Sequence, residues 1–216
     1  MLPVIPSKLR RIDESTVGEH FALTAEDRCF FFWEYTRGKD FSFGPVNALV
    51  KNLKITPQEL QRNPARQKYK ATALNHAASA LRQLIRPDQL EQLTFVPVPG
   101  SKCKDDPEFE DRMGGVLRSA FRGLNADIRN MLAVTRSSTA DHRADERLSP
   151  VELLAITELT PESQRPPRRI IVVVDDVLNS GKHFRVAKTL LTNRFPGTEI
   201  RSLFMARIIG ANPFDT

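Results

Sequence analysis

The apolar positions of this chain change period along its length, and each change predicts an element. The densest run is Ile170-Ile171-Val172-Val173-Val174, five β-branched residues in succession. A run without polar alternation fits a parallel strand buried on both faces. It gives way to Asp175-Asp176 and then to Val177-Leu178-Asn179-Ser180-Gly181, a small-residue turn. Residues 183–195 read as a helix and 199–209 as another strand, which together make a βαβ unit. Upstream, residues 93–96 read as a short strand. Pro97 and Pro99 lack the N–H that a ladder needs, so no central strand is expected beyond Val96. Residues 111–124 read as a helix and 131–134 as the next strand. Between Pro64 and Ile85, the residues Tyr69, Ala73, Ala77, Leu81, Leu84 and Ile85 recur at spacings of three and four, predicting a helix with one apolar face. Pro64 suits a first turn and Pro87 ends the run. His76 lies within this helix and is expected to be structural.

The first 60 or so residues carry a different pattern. Cys29-Phe30-Phe31-Phe32-Trp33-Glu34-Tyr35 is an aromatic-rich run suited to a buried strand or to an interface. Phe41 and Phe43 precede a Gly44-Pro45 turn signal. The expected organisation is therefore an N-terminal cap or hood over residues 1–63 and an α/β domain over residues 64–216. The cap either packs on the domain or forms an oligomer contact. Residues 136–150 are polar and of mixed charge, a length that marks a functional or disordered segment.

The chain has 216 residues, so one α/β domain with an addition fits better than two full domains. Hydrophobic residues make up 40% and charged residues 27%, enough for a real core. Cys29 and Cys103 form neither a disulfide framework nor a CxxC pair, which points to a reducing, cytoplasmic setting. No apolar run approaches the roughly 20 residues of a membrane helix. The net charge of +6 is uneven. Residues 51–70 hold Lys51, Lys54, Arg62, Arg66, Lys68 and Lys70 against Glu59 alone. Such a window suits nucleic acid or a phosphate-rich ligand, or it is a solvated helix face.

The chemistry concentrates at residues 175–183. Twin carboxylates at a strand's end can accept from vicinal hydroxyls, or hold waters on a hard cation such as Mg²⁺. A tight turn into a helix start aims backbone N–H groups outward, and with the helix dipole these favour a phosphate monoester. A diol site beside a phosphate site describes a ribose 5-phosphate. Gly181-Lys182 does not complete a Walker A loop, because the required glycine and hydroxyl positions hold Asp176 and His183. No GxGxxG or HExxH occurs.

The stretch from Ile171 to His183, with its Asp175-Asp176 pair and Asn179-Ser180-Gly181 turn, resembles the PRPP-binding signature of type I phosphoribosyltransferases. The order of the other pieces is similar to the ComF-like branch: a Val96-Pro97-Val98-Pro99 strand end, an Arg-bearing polar loop, the signature, and a strand ending near Ala206-Arg207. The resemblance covers residues 94–207. It implies an open, mostly parallel sheet flanked by helices. It also implies a Mg²⁺-dependent, cytoplasmic phosphoribosyltransferase that moves ribose 5-phosphate from PRPP to a base or other nitrogen acceptor and releases pyrophosphate. Asp175 and Asp176 would then act catalytically on the ribose hydroxyls and organise Mg²⁺ through water. Asn179, Ser180, Gly181, Lys182 and His183 would bind the 5-phosphate. Gly100, Ser101 and Lys102 would lie in the pyrophosphate loop, and Arg136, Arg143 and Arg147 in a mobile loop over the substrate. The chain departs from the family at Asn179 and His183, where Thr or Ser is usual.

Other readings stay open at this level. The fold could serve as a PRPP or nucleotide sensor, or as a nucleic-acid-linked effector in a bacterial DNA-uptake or antiviral defence module, an expectation drawn from the resemblance alone. The aromatic run at residues 30–35 could also make the chain a homo-oligomer or a subunit of a complex.

Overall fold

The structure is a computed structural model that describes residues 1–138 and 148–210. Its strands are β1 (Arg10–Arg11), β2 (Arg28–Thr36), β3 (Leu93–Pro97), β4 (Asp127–Ile128), β5 (Leu132–Val134), β6 (Thr157–Leu159), β7 (Ile170–Leu178) and β8 (Glu199–Ile209). Its helices are α1 (Pro45–Leu53), α2 (Pro57–Arg62), α3 (Gln67–Leu84), α4 (Pro87–Leu90), α5 (Arg112–Ala120), α6 (Pro150–Ala155) and α7 (Lys182–Arg194). Six strands form one sheet in the order β1-β2-β8-β7-β3-β4. Every pairing in it is parallel except β1 with β2. The chain is thus α/β with a mostly parallel, mixed sheet between helices.

Each face of the sheet buries its own set of side chains. Val172 and Val174 of β7 point to a core shared with Phe32, Phe95 and helices α1, α3 and α5. Ile171 and Val173 point the other way, onto Phe184, Ala187 and Leu191 of α7. The unbroken apolar run of β7 therefore serves two cores through strict alternation.

The segment expected as a cap lies partly within the sheet. β2 runs parallel to β8 from Arg28↔Arg201 to Thr36↔Ile209, and β1 pairs at its outer edge. The aromatic run is a buried strand because both of its faces are covered: Phe31 is 2% exposed and Phe32 1%. Residues 45–53 form α1 against this strand, so residues 1–63 share the cores of the rest.

Smaller differences have local causes. β3 continues to Pro97, one residue past the expected limit. Val98 N–H donates to Val174, so Pro97 turns its missing donor to the β4 side, where the ladder has already ended at Phe95↔Ile128. Residues 132–134 form a strand, but it pairs with β6 in a separate two-stranded sheet. On α3, Tyr69 is 51% exposed and Lys70 takes an inward position instead. His76 accepts a structural role, with Nε2 2.8 Å from the Pro3 carbonyl and its ring stacked on Trp33.

Candidate functional site at the carboxyl end of the sheet

β7 passes through Asp175 and Asp176 before it ends at Leu178, so the twin acids lie inside the strand rather than beyond it. Asp176 is 9% exposed. A buried carboxylate needs partners, and two cations supply them. Arg112 Nη1 lies 2.7 Å from Oδ2, and Lys54 Nζ lies 3.2 Å from Oδ1. Arg112 opens α5, whose first turn is capped by Asp111 accepting from Gly114 N–H. Lys54 closes α1, held by the buried Leu49, Val50 and Leu53. Burial works against the charge on Asp176, but Lys54 and Arg112 outweigh it and hold its pKa below the usual carboxylate range. Among the described residues, Asp175 accepts only from the Asp176 N–H, at 2.7 Å. Burial first, and the neighbouring Asp176 second, push its pKa up to about 7. On Lys54, burial opposes the charge, and Asp176 and Asp175 overcome it to raise the pKa.

The turn after β7 is held from behind. Gly181 has φ +85°, and a Cβ there would lie 2.7 Å from the Leu23 side chain. Only glycine meets both demands without strain. The carbonyls of Asn179 and Ser180 point toward residues 20–22. His20 Nδ1–H donates to the first, and Ala22 N–H donates to the second at 2.9 Å. The amides of Ser180 and Gly181 donate to no other described residue. This segment is in turn fixed to α7: Arg185 Nε donates to the Ala22 carbonyl, and Asp27 accepts from Lys188 at 2.6 Å and pairs with Arg185 at 3.2 Å. His20 is 1% exposed, and burial keeps its pKa below the ordinary value. Carbonyls bound at the back and amides unpaired at a helix start make an anion-binding geometry.

The other expected residues take varied positions. Lys182 is 8% exposed, and its ammonium donates to the Leu148 carbonyl at 3.0 Å rather than lying along the turn. His183 lines a cavity of about 10 Å³ with Val98, Pro99, Leu132 and Leu153, which brings the end of β3 beside the start of α7. Gly100, Ser101 and Lys102 leave β3 at the same sheet edge. Ser101 accepts from Ser138 N–H at 2.8 Å, and Lys102 pairs with Asp106 at 3.7 Å. Arg136 is exposed, whereas Arg143 and Arg147 lie outside the described residues.

The basic window of residues 51–70 does not form one surface. Lys54 is on Asp176, Lys70 is buried against Glu110 at 2.5 Å, and Arg66 pairs with Glu59 at 2.7 Å. Lys51, Arg62 and Lys68 remain exposed. A count of charges along the sequence mixes three faces of three helices.

The magnesium expected at the twin acids does not fit this arrangement. Two cations already neutralise Asp176. Among the described residues, no cluster of three or more carboxylate, histidine or cysteine ligands forms. Sequence reasoning missed Arg112, Glu110, His20 and Asp27, and it counted Lys54 only as surface charge. Arg112 and Asp176 are 64 positions apart, so no local pattern joins them.

No protein-family model matches the chain, and no curated protein matches it. Among the described residues, no helix is long and apolar enough to cross a membrane.

Proposed function

We propose that this chain is a phosphoribosyltransferase that binds the ribose 5-phosphate of PRPP at the β7–α7 turn and passes it to a nitrogen acceptor. One observation carries the reading: the turn's carbonyls are tied back to residues 20–22 while its amides at Ser180 and Gly181 donate to no described residue, directly after Asp175 and Asp176. A phosphate would take those amides and the positive end of α7. The sugar hydroxyls would donate to Asp175, whose carboxyl has one donor among the described residues. In the reaction the anomeric C–O bond to pyrophosphate breaks, its electron pair leaves with the pyrophosphate, and a C–N bond forms to the acceptor, which sheds its proton to solvent. Positive charge develops at the ribose in the transition state, and a carboxylate fixed nearby stabilises it. The loops that leave β3 and enter α7 bracket the space in which this happens.

The test is incubation with PRPP across a set of purine, pyrimidine and pyridine bases, scoring thermal shift and pyrophosphate release. Release with one base, lost in Asp175→Asn, supports the enzyme. A thermal shift without release with any base replaces the enzyme by a PRPP-binding protein. The absence of both signals removes the reading.

A further inference from the structure

We infer that Lys54 and Arg112 take the place of a divalent cation at the twin acids, so that this chain binds its sugar phosphate without metal. The inference rests on the reading above and deepens it. The ion pairs close into a ring. Lys54 meets Asp176, Asp176 meets Arg112 at 2.7 Å, and Arg112 meets Glu110 at 3.4 Å. Glu110 meets Lys70 at 2.5 Å, and the Lys70 ammonium donates to the carbonyl of Ile55, the residue next to Lys54. Three cations face Asp176 and Glu110, and Asp175 brings the ring at most to neutrality. A divalent cation entering such a ring meets positive charge on both sides of the carboxylate it needs. An anionic ligand meets the opposite situation.

Lys54 has donors left for a ligand, and Arg112 adds charge behind it. The Lys54 side chain is 48% exposed and uses one contact on Asp176. Arg112 Nε is buried and has no acceptor among the described residues. Oxygens of a sugar phosphate or pyrophosphate would take the remaining Lys54 donors, in the way that cationic clamps stabilise transferring phosphoryl groups, while Arg112 supplies positive charge behind them. The anchoring is unequal, which suits binding and release. Arg112 is fixed by two carboxylates, whereas Lys54 can swing with solvent on one side.

Two measurements decide this. The first is a Mn²⁺ titration of the wild-type chain alone, read by the electron paramagnetic resonance signal of free Mn²⁺. The second is calorimetric titration with ribose 5-phosphate, once in EDTA and once in Mg²⁺. We expect no saturable Mn²⁺ uptake, and ribose 5-phosphate affinities that agree within about threefold in the two buffers. In Lys54→Ala, affinity in EDTA should fall at least about tenfold, a change of about 1.4 kcal/mol, and Mg²⁺ should restore part of it. Stoichiometric Mn²⁺ uptake that Asp175→Asn abolishes would overturn the inference, as would wild-type binding that disappears in EDTA and returns with Mg²⁺. That second result leaves the phosphoribosyltransferase reading standing. Failure to bind ribose 5-phosphate in either buffer removes the reading itself, and with it the inference. A melting curve of Lys54→Ala guards against misfolding, and the wild-type arms decide the matter without that variant.

Discussion

At the carboxyl end of β7 a buried carboxylate is joined to two cations, whereas at the amino end of the same sheet the charges ring the rim of a larger hollow. That hollow holds about 550 Å³ and is floored by Leu9, Phe30, Leu84, Phe95, Ile170 and Leu203. Its rim pair, Arg86 and Asp88, has side chains 70% and 67% exposed. The opposite end keeps Asp176 9% exposed with two cations on it. Burying charge is costly, and a chain retains it where it serves structure or chemistry. The contrast teaches that volume alone locates a shape, while the proposed chemistry rests on buried charge and on amides that donate to no described residue.

Removing charge should separate the two ends most sharply. Asp176→Ala leaves Arg112 and Lys54 without their carboxylate and should cost about 3 kcal/mol in urea unfolding. A loss no larger than that of Arg86→Ala would break the comparison. Gly181→Ala comes next. The left-handed backbone and the Leu23 contact together should cost about 2 kcal/mol, and ribose 5-phosphate affinity should fall with them because the turn must shift. Thermal melting and calorimetry on the one variant check both effects.

Protonation offers a gentler probe. The folded chain holds the Asp175 proton up to about 7, against an ordinary value of 3.8. Stability from this group is full below that ordinary value and is lost as pH rises through about 7. Anion binding follows the same sign, because protonating Asp175 removes a negative charge from the site. Sulfate, whose charge does not change in this range, should therefore bind a few-fold more tightly at pH 6 than at pH 8, and Asp175→Asn should flatten the difference. Smallest of all, Arg86→Ala should leave the urea-unfolding midpoint unchanged within error, as loss of an exposed pair does.

How much of this was legible in the sequence depended on how local the cause was. The strand over residues 170–174, the turn at Gly181 and the helix after it follow from neighbours within a few positions, and so they could be read. β2 could be read as a strand but not placed, because its parallel partner β8 lies more than 170 positions away and pairing at that distance leaves no periodic mark. The site divides in the same way. Asp175, Asp176 and the turn announce themselves. His20, Lys54 and Arg112 do not, since each acts on residues that only the fold brings near. Lys70 shows how a charge count misleads: the same lysine that swells a basic window is buried on Glu110.

The most direct measurement is an NMR titration of the wild-type chain with ribose 5-phosphate, following backbone amide shifts. Saturable shifts at Ser180 and Gly181, accompanied by Asp175 and Asp176, are the predicted result. Shifts confined to Phe30, Leu84, Ile170 and Leu203 around the larger hollow, or no shifts at all, would contradict the assignment of the turn as the phosphate site.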